Sequence, residues 1–499
     1  MLNFGQALIH GAQTYPDKAA LITEDKVSTY RELNARVNRL ANALLGAGIR
    51  PGQSVAVISH NTPEALELLW AAAKAGLVFV PVNVMLKRQE IERIFALMKP
   101  RACVIEPELQ KELPLQVDGC LRLLIGQVYD LPPYSFSYEA FIENSSEVEP
   151  RIDVRPDQIF TIIFSSGTTG HPKGIVLTHL ARSLTCLFYA VEFGITAESR
   201  TLCATPHYHN SLVIVPLPTF YAGGTVFLVR KFSPSEILSR CVKDKITHAL
   251  LVPTQLNMIL GSSLIPPEGL PLLRSLVYTG EAMNETTRQR VLREMTPNLY
   301  SLYGLTEGLG VVLHPKDQSS RPGSVGKPIL HTEIGILNDQ GNPVPAGEIG
   351  EIAGRSSRQM SGYYKDPERT SLTVRDGWIY TGDLGKLDAE GFLYVVGRKK
   401  EVIISGGVNI FPQDIEQILA THPGVDEVAV LGIPDEVWGE KVKAVVVPRP
   451  DACLSAEILA TWCHENLPGY QQPKIIEIRS VLPRNPAGKI LKQELITLT

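Results

Sequence analysis

The sequence predicts an α/β protein in which a large N-terminal region of layered sheets and helices precedes a small α+β domain. Three observations carry this reading. At 499 residues the chain exceeds what one compact core serves and requires two or three domains. Its first ~400 residues alternate short β-branched runs with amphipathic stretches of helical period, as helices layered on sheets require. Near Gly397 the texture changes, and the last ~100 residues bring a short strand, a helix and another strand in quick succession.

The individual elements follow from local pattern. Ser54-Val55-Ala56-Val57-Ile58 reads as a buried strand, 64–75 as a helix with Leu66, Leu69 and Trp70 on one face, and Leu77-Val78-Phe79-Val80-Pro81-Val82 as the next strand. Together they make a βαβ unit. The apolar run 159–164 reads as a strand, and Ile175-Val176-Leu177 as a second strand after an intervening loop. The most apolar stretch, 211–229, contains Pro216, Pro218, Gly223 and Gly224, which predicts buried strands and turns rather than a transmembrane segment. In the final region Glu401-Val402-Ile403-Ile404 leads through Ser405-Gly406-Gly407 into a helix over 412–419 and a strand over 427–431. No repeat of solenoid or propeller period is present.

Composition narrows the class of function. With 44% apolar residues, 20% charged residues and a formal charge of −4, the chain has the balance of a soluble globular protein and no electrostatic footprint for nucleic acid. Met1-Leu2-Asn3-Phe4 lacks the basic flank and apolar core of a signal peptide. Seven cysteines, at 103, 120, 186, 203, 241, 453 and 463, show no C-x-x-C spacing and an odd count, which predicts a reducing, cytoplasmic setting.

Chemistry is most legible between the two strands at 159–164 and 175–177. Ser165-Ser166-Gly167-Thr168-Thr169-Gly170-His171-Pro172-Lys173-Gly174 combines three glycines, four hydroxyls and one ammonium, a set suited to holding phosphate. It is not the G-x-x-x-x-G-K-[ST] phosphate loop: Pro172 removes a donor before Lys173, Gly174 stands where a hydroxyl should bind Mg²⁺, and a strand follows instead of a helix. A strand-loop-strand cover over phosphate is the better description.

The loop has companions downstream. Tyr303-Gly304-Leu305-Thr306-Glu307, Tyr380-Thr381-Gly382-Asp383, Gly397-Arg398-Lys399-Lys400 and Pro486-Ala487-Gly488-Lys489 follow in an order that resembles the adenylate-forming superfamily. That superfamily holds the acyl-CoA synthetases, the adenylation domains of nonribosomal peptide synthetases and firefly luciferase. The resemblance runs from Thr29-Tyr30-Arg31-Glu32-Leu33 to Lys489. The run Leu431-Gly432-Ile433-Pro434-Asp435-Glu436-Val437-Trp438-Gly439-Glu440-Lys441-Val442-Lys443-Ala444 looks most like the acyl-CoA ligase branch.

The resemblance implies a hinge at Lys400, with a large AMP-binding domain over 1–399 and a small mobile domain over 400–499. It implies ATP, Mg²⁺ and coenzyme A as the cofactors and a small aliphatic or aryl carboxylic acid as the substrate. Ser165, Ser166, Gly167, Thr168, Thr169, Gly170 and Lys173 would bind the phosphates, Glu307 the metal, and Thr306 a phosphate oxygen. Tyr303, followed by Gly304, would stack on adenine, with the backbone of Gly280-Glu281-Ala282 on the other side of the purine. Asp383 would accept from the ribose hydroxyls with Arg398 beside it. Lys489 would span the carboxylate and the α-phosphate. His209 aligns with the aromatic or histidine gate of the acyl site, Gly406 and Gly407 would wall a pantetheine channel, and Trp438 would lie near the coenzyme A nucleotide. Strand alternation would put His207 and His209 on one face, so a metal pair is conceivable, but no third ligand is evident and satisfied structural histidines are the better reading. Two other functions stay open at this point: loading of a carrier protein, and non-catalytic binding of an acyl adenylate.

Overall fold

The computed structural model describes residues 3–112, 119–126, 131, 134–165, 173–450, 452–484 and 490–496. Among them four sheets form. The larger two are mostly parallel: an eight-stranded sheet centred on Ser54–Ile58 and Val78–Pro81, and a nine-stranded sheet centred on Arg200–Cys203 and His248–Leu251. These strands are short and mostly apolar, and all of their residues but Arg200 are buried, as strands covered on both faces must be. A five-stranded sheet over 332–398 follows, and another over 403–478 forms the smaller α+β unit. The α/β class and the large-plus-small organisation expected from the sequence are those observed.

Local chemistry explains where the helices start and stop. Thr29 and Glu32 of the Thr29-Tyr30-Arg31-Glu32-Leu33 motif form a reciprocal capping box that opens the helix Tyr30–Gly46. The helix Pro63–Ala75 begins with Thr62 accepting from the Ala65 N–H, has proline at its first position, and ends at Gly76 with φ +66°. One expectation fails over 211–229. Instead of strands and turns, this stretch holds the helix Pro216–Tyr221 before the strand Thr225–Leu228. Pro216 and Pro218 fall in the first turn, where the missing N–H groups have no helical partner to lose, so the prolines start a helix instead of forbidding one.

The two large sheets share one apolar core. Phe4 stacks on Trp70 at 5.0 Å, Trp70 meets Phe220 edge-on at 5.8 Å, and the Tyr30 hydroxyl donates to the Gly224 carbonyl at 2.7 Å. Histidines are sealed into the same region. His179 Nδ1 accepts from the Phe4 N–H at 3.3 Å, and its ring stacks on Phe160 at 4.7 Å. His248 bridges Thr247 and the Phe193 carbonyl. Burial pushes both imidazoles from 6.5 down to about 4.

A folded pKa below the unfolded one means that the unfolded chain binds more protons between these two values. Stability contributed by the neutral histidines is therefore present above pH 6.5 and lost as the pH falls toward 4. Urea unfolding midpoints followed over that window should decline. His248→Gln should make the decline shallower by about one proton, ~1.4 kcal/mol per pH unit. An unchanged slope would mean that His248 is not neutral in the fold.

Candidate active site

Two antiparallel strands, Ile159–Ser165 and Lys173–Thr178, carry the ends of the phosphate loop, with Ser165 and Lys173 facing each other at its base. Ser166, Gly167, Thr168, Thr169 and Gly170 lie outside the described residues. Lys173 Nζ donates to Glu307 Oε1 at 2.5 Å and to the Tyr363 hydroxyl at 3.0 Å. That hydroxyl in turn donates to the same Glu307 oxygen at 2.8 Å. Burial opposes the Lys173 charge, but the Glu307 carboxylate outweighs it and the ammonium pKa is shifted up.

Glu307 is held from behind as well. Its carbonyl accepts from the Met360 N–H at 2.8 Å, and the chain turns at Gly308 with φ +119°. A Cβ there would lie 2.4 Å from Gln359 Cα, so only glycine closes this turn. Thr306, half-buried, sits on the same turn. Tyr363 was not singled out by sequence. It lies on a strand of two residues, Gly362–Tyr363, too short to leave any periodicity to read.

A second part of the site follows from sheet topology. Ser275–Thr279 and Leu299–Gly304 are adjacent parallel strands with Thr279 opposite Leu302, so Gly280 and Tyr303 emerge side by side at their C-terminal ends. Open α/β sheets bind ligands at such ends. Gly280 turns away with φ +96°, Glu281 and Ala282 are exposed just beyond it, and Gly304 follows Tyr303. The Tyr303 hydroxyl donates to Asp383 Oδ2 at 2.8 Å, while Arg398 Nε reaches Asp383 Oδ1 at 3.1 Å. Asp383 and Arg398 are direct partners across an antiparallel pair. Tyr380-Thr381-Gly382-Asp383 is therefore interior to the strand Trp378–Leu387, with Gly382 at φ +73° turning the Asp383 carboxylate toward Tyr303.

His207 and His209 do not alternate along a strand. Arg200–Cys203 ends before them, and they occupy a turn leading into the 3₁₀ helix Asn210–Val213. Even so they line one cavity, together with Phe79, Phe160, Arg182, Leu212 and Val213. Burial pushes the His207 imidazole down to about 3 and lowers that of His209, keeping both neutral. No cluster of three or more His, Cys, Asp or Glu is found among the described residues, and nothing supports the metal pair.

In the smaller unit, Ser405-Gly406-Gly407 joins the strands Ile403–Ser405 and Val408–Ile410. Gly406 has φ +57°, its N–H donates to the Trp438 carbonyl at 2.8 Å, and a Cβ on it would lie 2.7 Å from Trp438 Cε3. The space beside Gly406 is thus taken by the Trp438 ring, whereas Gly407, at φ +80°, faces open space. The obstruction expected of a side chain at 406 is first an obstruction to Trp438. Trp438 itself is 55% exposed and is not a core residue. Lys400 follows Lys399, whose Nζ is bound by Asp339 at 3.0 Å and Glu351 at 3.2 Å. Lys489 lies outside the described residues.

Residues 8–364 match the AMP-binding enzyme family, and residues 414–489 match the AMP-binding enzyme C-terminal domain. The chain belongs to the AMP-binding enzyme family. It is 35% identical over 489 residues to a feruloyl-CoA synthase from an Amycolatopsis species, covering 97% of each chain. It is 34% identical over 484 residues to an indoleacetate–CoA ligase from Aromatoleum aromaticum, covering 96% of this chain and 94% of that one. ATP-bound MatB from Rhodopseudomonas palustris overlays with a TM-score of 0.92 at 28% identity, covering 99% of this chain and 98% of the other. Apo MatB, over the same coverage, gives 0.81.

As an AMP-binding enzyme, the chain has a donor set that suits magnesium. That ion takes one or two carboxylates and completes its shell with phosphate oxygens and water. Glu307, 6% exposed and bound to Lys173, is a carboxylate of that kind. Glu307→Gln should lower the rate of pyrophosphate release by roughly 10²-fold. Its thermal midpoint should fall as well, because Gln can still accept from Lys173 and Tyr363 but leaves the Lys173 ammonium without its counter-charge. Near-normal pyrophosphate release would remove Glu307 from the reaction.

Proposed function

We infer that this AMP-binding enzyme is an acid–CoA ligase acting through an acyl adenylate. A carboxylate oxygen attacks the α-phosphorus of ATP and pyrophosphate leaves. The coenzyme A thiol then attacks the acyl carbon, a thioester forms and AMP departs. The observation that carries this reading is the convergence of three separate chain segments, Lys173, Glu307 and Tyr363, on one buried charged cluster at the base of the phosphate loop. The named activities of the relatives support coenzyme A as the acceptor and an aliphatic or aryl acid as the substrate.

Roles for the residues follow from their chemistry. Asp383 accepts from the ribose hydroxyls, with Arg398 fixing its carboxylate. Tyr303 offers a ring face to adenine, oriented by its bond to Asp383. Bound magnesium would neutralise phosphate charge as it moves onto pyrophosphate. Lys173 supplies a cation that is already desolvated and fixed before the nucleotide arrives, so little reorganisation is needed. Lys489 provides the positive charge at the reacting carboxylate during the first step only. The large and small domains meet at Lys400, and rotation there exchanges Lys489 for the Ser405-Gly406-Gly407 loop at the site. The unequal overlay of the ATP-bound and apo forms of MatB supports a domain arrangement that changes between states in that relative. Seven free cysteines, six of them buried, support a reducing, cytoplasmic setting.

Two measurements test this reading. Lys489→Ala should abolish pyrophosphate release yet still convert supplied acyl adenylate and coenzyme A to thioester, while Lys400→Pro should keep the first step and lose the second. Equal slowing of both half-reactions by each variant would rule out the rotating domain. Separately, Trp438→Ala should raise the KM for coenzyme A and leave that for ATP unchanged, since base stacking contributes about 1 to 3 kcal/mol. If the KM for coenzyme A stays at the wild-type value, Trp438 does not meet the acceptor.

A further inference from the structure

The helix His179–Glu192 carries a charge that the reaction above does not use. Arg182 is 2% exposed, and no carboxylate pairs with it among the described residues. Nε donates to Thr161 Oγ1 at 2.7 Å and one terminal nitrogen to Asn210 Oδ1 at 2.6 Å. Both partners are neutral. Burial pushes the guanidinium down to about 10, so it remains a cation at neutral pH. A buried cation without a counter-charge is costly, and an anion entering beside it would relieve that cost.

Arg182 lines the same cavity as His209. So does His207, which is 3% exposed and has both ring nitrogens without a hydrogen-bond partner. The remaining walls include Phe79, Phe160 and Leu217, so the polar groups are few and converge on one place. The space is small, with room for about one polar group and not for a ring or a chain.

We propose that this cavity is the far end of the acid pocket and receives a second carboxylate of the substrate, with Arg182 as the residue that selects a dicarboxylic acid. The proposal rests on the ligase reading, because His209 connects the cavity to the acyl site through the family resemblance. A distal carboxylate accepts from the Arg182 guanidinium and from the N–H of a neutral His207. A methyl end in the same place leaves both donors unsatisfied, which disfavours monocarboxylates.

The test is pyrophosphate release with succinate, glutarate and adipate against butyrate, pentanoate and hexanoate. The wild type should prefer the dicarboxylate of at least one pair by ~10-fold or more in kcat/KM. Arg182→Leu should lose that preference while still turning over monocarboxylates. The thermal midpoint with each acid, without ATP, gives a second readout: dicarboxylates should raise it in the wild type and not in Arg182→Leu. A monocarboxylate preference, or a dicarboxylate preference that survives Arg182→Leu, overturns the site and leaves the ligase reading standing. No pyrophosphate from any acid, with Arg182-dependent stabilisation retained, rejects the ligase reading and leaves the anion site standing. Should Arg182→Leu not fold, equal thermal shifts of the wild type by matched mono- and dicarboxylates would overturn the proposal.

Discussion

The ion pair between Lys173 and Glu307 joins the two large sheets at the point where their strands end. Lys173 opens a strand of the eight-stranded sheet, and Glu307 follows the last parallel strand of the nine-stranded one. Each side chain is largely buried, so each needs the other: removing one leaves an uncompensated charge in a poorly solvated place. Tyr363 makes the pair a cluster by donating to the carboxylate and accepting from the ammonium. Lys173 and the Gly280–Tyr303 strand ends belong to different sheets, and the pair ties those two sheets together where the strands end.

Pattern revealed those parts of the fold whose signals are local. The βαβ unit over 54–82 was legible because a fully apolar strand, a capped amphipathic helix and a glycine stop follow in sequence. The Pro216–Tyr221 helix was not, because proline has the same identity whether it breaks a helix or begins one, and only the position of the first turn decides. His207 and His209 were placed on a strand by spacing alone, and spacing of two says nothing once the chain leaves extended backbone.

The site was legible where its residues come in short motifs. Asp383 and Arg398 stand fifteen positions apart in sequence, yet pairing of their strands makes them neighbours, and the two motifs named both. Tyr363 and Arg182 went unread for opposite reasons. Tyr363 acquires its role entirely from distant partners. Arg182 lies on a helix face with Ala181, Cys186 and Tyr189, and a cation on a buried face becomes an anomaly only after that face has been assigned.

Glu351 links two places that look unrelated. One of its carboxylate oxygens accepts from the N–H of Gly382, next to Asp383, and the other from Lys399, next to Lys400. In the proposed mechanism a hinge at Lys400 would turn beside a carboxylate that also braces the strand carrying Asp383. Rotation of the small domain about that point would leave the Gly382–Glu351 contact in place. Under that mechanism a reactive mixed anhydride would stay seated while the groups around it are exchanged, and its loss to water would depend on how firmly Glu351 holds both of its neighbours.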